Sequence, residues 1–245
     1  MAELAAVERS ELAALIEQIR PTVLSGERVL PVTSALQPVF PLGGLARGSR
    51  VALRGTGAAS VCMATLAEAS REGSWVAVVG VAAWGWAAAA RAGLRLERTV
   101  FVAEPPPGQW GTVVAALVDA VDVVVVDPTH QVTASDARRL AARSRERGSV
   151  IVNVALDDGR RRFRWPSDPD LTLSVQTLSW AGLEAGHGAL GDRVVGIEAD
   201  GRRGAARARR VEVLISAGGV VVEHVPAAGA PGERAATVRH LRSVG

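Results

Sequence analysis

"RVALRGTGAASVC", residues 50–62, joins a short apolar run to a glycine-rich turn and then to an alanine-rich stretch of helical character. Strand, glycine turn and helix in that order are the setting of a phosphate-binding loop, whose pattern is G-x-x-x-x-G-K-[ST]. Gly55 fills the first position of that pattern, but the second glycine is Ser60, the lysine is Val61 and the hydroxyl residue is Cys62. The context is that of a nucleotide site, while the side chains that grip phosphate and magnesium are missing.

Outward from this stretch, short apolar runs alternate with helical patterns. Strands are expected at 50–53, 75–79, 99–102, 122–126 and 150–154, and helices at 60–71, 85–92, 109–120 and 135–147. The last helix has Ser135 as its expected N-cap and Gly148 just past its end. Near-continuous runs such as "VDVVVVD" suit strands buried on both faces, and their alternation with helices predicts an α/β fold with a mostly parallel, doubly wound sheet. After about residue 155 the helical patterns stop, and "LTLSVQTL", "RVVGIEAD" and "RVEVLIS" read as successive antiparallel strands. Four segments follow from this reading: an amphipathic helix over 1–20, a proline-containing connector over 21–48, a core over 49–225 and a basic, flexible tail over 226–245.

Composition narrows the function classes. The 245 residues are 48% hydrophobic, enough for a substantial core. All 28 residues counted as lysine plus arginine are arginine, so no lysine elsewhere in the chain can replace the one missing at Val61. A formal net charge of +3 argues neither for nor against nucleic acid, and clustering must carry that question. A single cysteine excludes an internal disulfide and fits a reducing compartment. Without a signal peptide or an uncharged run of 18 apolar residues, the chain reads as soluble and cytoplasmic, with no membrane association.

A second acidic landmark lies downstream. "VDVVVVD" ends a hydrophobic strand at Asp127, the form of the carboxylate that assists magnesium in nucleotide sites. In their order, "LPVTSALQPVFPLGGLARGSRVALRGTGAASV" (30–61), "WVAVVG", "AGLRLERTVFV", "VDVVVVD" and "GSVIVNV" resemble the RecA-like ATPase core. More closely, over residues 30–217, the chain resembles the RecA-like accessory proteins of the actinobacterial mutasome, of the ImuA-prime or ImuA type. The resemblance implies a RecA-like P-loop-type core with antiparallel strands on its C-terminal side. It also implies a role in damage-induced mutagenesis and translesion synthesis, with an ImuB-type Y-family polymerase relative as partner and, through it, an error-prone replicative-type polymerase. The protein would then be nucleoid-associated when DNA is damaged.

Laid over the RecA pattern, the polar set fails almost everywhere. Ala82 stands where the catalytic glutamate follows the second strand, and Ala155 stands near the position of the nucleotide-sensing glutamine. Only Asp127 remains. A charge-assisted hydrogen bond contributes about 1.5–3 kcal/mol, so losing the lysine alone weakens a micromolar site by about ten- to a hundredfold. The expectation is a degenerate nucleotide site at Gly55, Ser60, Val61, Cys62, Ala82 and Asp127, with no catalytic residues, no metal and no cofactor. Cys62, at the start of a helix, is expected as a small packing residue, with a reactive thiol as the other reading.

Of three arginine clusters, two could meet DNA, single-stranded or as primer-template. Arg160, Arg161, Arg162 and Arg164 are interleaved with Phe163 and Trp165, which offers phosphate contacts and base stacking. Arg202, Arg203, Arg207, Arg209 and Arg210 surround a hairpin loop with no acid among them. Arg138, Arg139, Arg143, Arg145 and Arg147 read as a solvated helix face. Leu12, Leu15, Ile16 and Ile19 of the leading helix and Trp84 and Trp86 after the second strand are candidate partner contacts, including self-association. Three functions remain open: a non-catalytic adaptor, a RecA-type DNA-dependent ATPase with an unorthodox site in which ATP and magnesium would bind, and a DNA-binding modulator of a recombinase filament.

Overall fold

In this computed structural model the described residues are 29–106, 108–127, 132–155, 165–184, 187–188, 190–201 and 209–223. The expected helix over 1–20 with Leu12, Leu15, Ile16 and Ile19, the stretch Arg160, Arg161, Arg162, Phe163 and Arg164, the loop arginines Arg202, Arg203 and Arg207, and the tail over 226–245 lie outside them.

Valine runs build the centre of the sheet, because β-branched side chains on alternate faces pack between two helical layers. The strands are β1 (Val29–Leu30), β2 (Leu45–Ala46), β3 (Arg50–Gly55), β4 (Val76–Val79), β5 (Thr99–Val102), β6 (Val123–Val126) and β7 (Val150–Val154), then β8 (Leu171–Trp180), β9 (Leu183–Glu184), β10 (His187–Gly188), β11 (Arg193–Gly201), β12 (Arg209–Ile215) and β13 (Val221–Glu223). The helices are α1 (Ala58–Arg71), α2 (Trp86–Ala92), α3 (Trp110–Ala120) and α4 (Ala134–Arg147). Nine strands form one sheet in the order β13-β12-β11-β8-β3-β7-β6-β4-β5. From β8 through β5 every pairing is parallel, and from β8 to β13 every pairing is antiparallel. The predicted α/β class and the change of strand direction after residue 155 are both present.

The two faces of β4 illustrate the layering. Val76 and Val78 join the core under α1 and α2, whereas Ala77 and Val79 join the core under α3 and α4. The antiparallel wing differs: β8 alternates buried Leu171, Leu173 and Val175 with more exposed Thr172, Ser174 and Gln176, so one of its faces is polar.

Two expectations change. The N-cap of α4 is Thr133, whose hydroxyl accepts from the Asp136 amide at 3.1 Å, in place of Ser135. Gly148 does close the helix, at φ +70°. The segment expected as a connector also contributes to the core: Leu30, Val32, Leu36, Val39, Phe40 and Leu45 are buried, with a 3-10 helix over Ser34–Val39 lying against β12 and β13. Its prolines break regular structure without preventing burial.

On the outer face, Asp119 of α3 accepts from Arg143 and, at 3.2 Å, from Arg147 of α4. Partial burial works against the Asp119 carboxylate, but the two guanidinium groups outweigh it and hold its pKa below the ordinary value. Because the folded value is depressed, this contribution is present above the unfolded carboxylate range and is lost as pH falls through the folded value. Asp119→Asn should cost about 0.5–1 kcal/mol at neutral pH, the site being partly solvated. Urea unfolding should show that difference shrinking as pH falls below the ordinary carboxylate range.

Candidate functional site

The Gly55 turn sits at the C-terminal end of β3, where open α/β sheets place ligands. Its geometry is not that of an open phosphate cradle. Helix α1 begins at Ala58, two residues before Ser60, so the positions corresponding to the phosphate-loop glycine, lysine and hydroxyl lie inside the helix. The Val61 amide donates to Gly57 O at 3.1 Å, as an ordinary helical bond. Thr56 is tied to the neighbouring strand: its hydroxyl accepts from the Thr177 amide at 3.0 Å, and its carbonyl accepts from the Thr177 hydroxyl at 3.2 Å. Gly57, at φ +95°, is the N-cap and gives α1 no side-chain cap.

Each predicted site residue can now be placed. Gly55 has φ +100°, and a Cβ there would lie 2.1 Å from Val175 O. The close approach of β8 therefore demands glycine, whatever binds at the turn. Ser60 accepts a hydrogen bond from the guanidinium of Arg193, at the start of β11. Val61 is 1% exposed, and Cys62 is fully buried. Ala82 is exposed and carries no functional group. Asp127 is buried at the end of β6, at the C-terminal end of the sheet where the turn also lies. Ala155 donates its amide to Leu53 O at 2.8 Å, which extends the β3–β7 ladder. Among the described residues no group of three or more His, Cys, Asp and Glu side chains could hold a metal ion. No described helix is long and apolar enough to cross a membrane.

The thiol of Cys62 is packed, which bears on its chemistry. Burial pushes its pKa from 9.0 to about 12. Iodoacetamide at pH 8 should leave the folded protein unmodified and alkylate one site per chain in urea, as counted by intact mass. Because the folded state keeps its thiol proton, stability should fall by about 1.4 kcal/mol per pH unit between about pH 9 and 12 on this account.

The aromatic candidates divide. Trp84 is 5% exposed and packed in the core, so it is not an accessible anchor. Trp86 is half-buried and meets Phe101 edge-on at 4.9 Å, with Phe101 itself 43% exposed on the edge strand β5. Phe101 was not foreseen; an outward aromatic on a strand can be told from a core residue only when the strand is known to be an edge. Trp165 is also changed: its ring meets Trp110 at 6.0 Å and packs on the core under α3, with its indole nitrogen buried. A base could not stack freely on it in this arrangement. Arg210 is exposed, but the register places Glu198 opposite it and Glu212 lies 3.5 Å away, so acids that the loop sequence lacks are supplied by neighbouring strand positions.

The chain matches the MT3502 N-terminal domain family over residues 38–161, just over half its length. The chain belongs to this family. The family match spans β2 through β7 and therefore includes the Gly55 turn, Asp127 and both helical layers. Among solved structures, the RadB recombinase is similar at TM-score 0.56 and 16% identity, covering 80% of this chain and 100% of that one. At that identity the likeness shows the fold alone, and the fold is RecA-like. A search of curated proteins gives no match.

Proposed function

We propose that this member of the MT3502 N-terminal domain family is a non-catalytic RecA-like adaptor in damage-induced mutagenesis, holding a Y-family-like polymerase partner at or near DNA. The observation that carries the non-catalytic part is the early start of α1. A magnesium nucleotide needs solvent-facing loop amides, an ammonium group and a hydroxyl, whereas here those positions hold a Ser60 already bonded to Arg193 and the buried pair Val61 and Cys62. These residues do not fit the group. The adaptor role rests on the resemblance to the mutasome proteins quoted above and on a RecA-like fold without the polar set that the chemistry requires.

A second reading, residual phosphate binding, has one feature in its favour: α1 lacks a side-chain cap, so its first amides keep their attraction for an anion. Titration calorimetry with ATP and magnesium separates the two, the adaptor reading expecting a dissociation constant weaker than about 100 µM. Low-micromolar binding would end the non-catalytic reading. Co-purification from damaged cells tests the rest. A stable complex with a Y-family-like polymerase is expected, whereas recovery of a recombinase alone would favour a filament modulator.

A further inference from the structure

The side chain that occupies Ser60 also forms part of a cleft that the nucleotide-site reading does not use. Arg193 stacks on Trp180, the last residue of β8, with its guanidinium carbon 4.7 Å from the ring centroid. This fixes the plane of the guanidinium group. One terminal nitrogen donates to Ser60, while Nε is buried with no hydrogen-bond partner among the described residues. Around it opens a cleft of about 250 Å³ between the first turns of α1, the end of α2, the start of β11 and the turn after β12. Arg91 lines it from α2. The turn is packed tightly on that helix: a Cβ at Gly219 would lie 3.2 Å from the Ala92 amide nitrogen.

The charge balance of this cleft is one-sided. Among the described residues Arg91 and Arg193 line it, no acid does, and neither arginine has a carboxylate partner. The nearest acid in sequence, Asp192, accepts at 2.8 Å from the amide of Ala217, a residue of the cleft wall, and makes no ion pair with Arg193 among the described residues. A desolvated guanidinium without a counter-charge is costly, and burial lowers the pKa of Arg193 accordingly. An incoming carboxylate would supply the missing acceptor in the geometry that guanidinium favours.

We propose that this cleft binds an acidic segment of a protein partner, with one carboxylate on Arg193 and Arg91 and an adjoining aliphatic side chain on Leu190. Size argues against a whole nucleotide, since the volume lies below the roughly 300–1,000 Å³ of sites for drug-sized ligands. Leu190 argues against a bare inorganic anion: it is 58% exposed at the rim, and only a ligand with apolar surface beside its charge would cover it. The site stands apart from the mutagenesis reading and does not require the partner to be a polymerase.

The experiment uses the full chain with 15N-labelled arginine, following the Nε–Hε signals. The probe is an acetylated, amidated peptide of alternating glutamate and leucine, compared with its glutamine counterpart, inorganic phosphate and a thymidine oligonucleotide. The Arg193 signal, assigned with Arg193→Gln, should shift saturably with the acidic peptide only. Affinity should fall by about tenfold or more in Arg193→Gln and by about threefold or more in Arg91→Gln. Arg91 is exposed and has no side-chain hydrogen bond among the described residues, so its variant remains informative if loss of the Trp180 stack disturbs folding. Equal response to the glutamine peptide, tighter response to phosphate or oligonucleotide, or unchanged affinity in Arg91→Gln would each overturn the proposal.

Discussion

Gly55→Ala is expected to destabilise the protein by about 3 kcal/mol or more, on the scale of a buried-core truncation. Two costs add. Alanine at φ +100° is strained, and its Cβ would stand 2.1 Å from Val175 O, an atom of the adjoining strand that cannot rotate away. Gly108→Ala isolates the first cost, because Gly108 has φ +77° with nothing within 4 Å of its Cβ position. That control should lose only about 1 kcal/mol. If urea denaturation gave the two variants equal losses, the β3–β8 approach would not be what requires glycine at 55. The comparison also separates structure from ligand binding. A glycine kept for phosphate would be costly in nucleotide affinity, whereas this one should be costly in folding without any ligand.

Restoring the missing lysine should damage the protein and bring no activity. Val61 is 1% exposed on α1, where it packs in the core with Leu66, Val175 and Val195. An ammonium group there has no counter-charge on the surrounding apolar side chains, so Val61→Lys should cost about 3–5 kcal/mol. Cys62→Thr added to it supplies the hydroxyl of the loop pattern but places it at a fully buried position. Calorimetry with ATP and magnesium should register no binding in the double variant beyond that of the parent. A folded double variant that binds ATP at micromolar strength would show that the loop needs only its side chains back, against the argument from the position of the helix start.

How much was legible beforehand depended on range. The strands at 99–102 and 150–154 and the helix ends near 71, 92, 120 and 147 follow from local patterns, because valine runs, helical periodicity and a glycine such as Gly148 act within a few residues. The loss of the phosphate-loop side chains at 60–62 was likewise plain, being a matter of residue identity. The roles of those residues were not. Ser60 is held by Arg193, 133 positions away, and no local pattern announces that pair. Trp84 and Trp86 are alike in sequence as candidate partner contacts, but Trp84, just before α2, is buried in the core, whereas Trp86, the first residue of α2, is half-buried and meets Phe101 on the edge strand. Trp165 reads as part of a basic, aromatic loop, and only its contact with Trp110 from α3 removes it from that role.

By itself the sequence determined the α/β class, the switch from parallel to antiparallel strands and the absence of the lysine, hydroxyl and glutamate that nucleotide chemistry needs. These are properties of residue type and short-range period, which chain neighbours set. Only the tertiary structure decided why Gly55 is glycine, where α1 starts, and that Arg193 lies between Trp180 and Ser60 in a cleft, with no carboxylate partner among the described residues. Those outcomes depend on which strand lies beside β3. Strand adjacency is fixed by burying apolar faces across the whole sheet, a long-range balance that no stretch of thirteen residues contains.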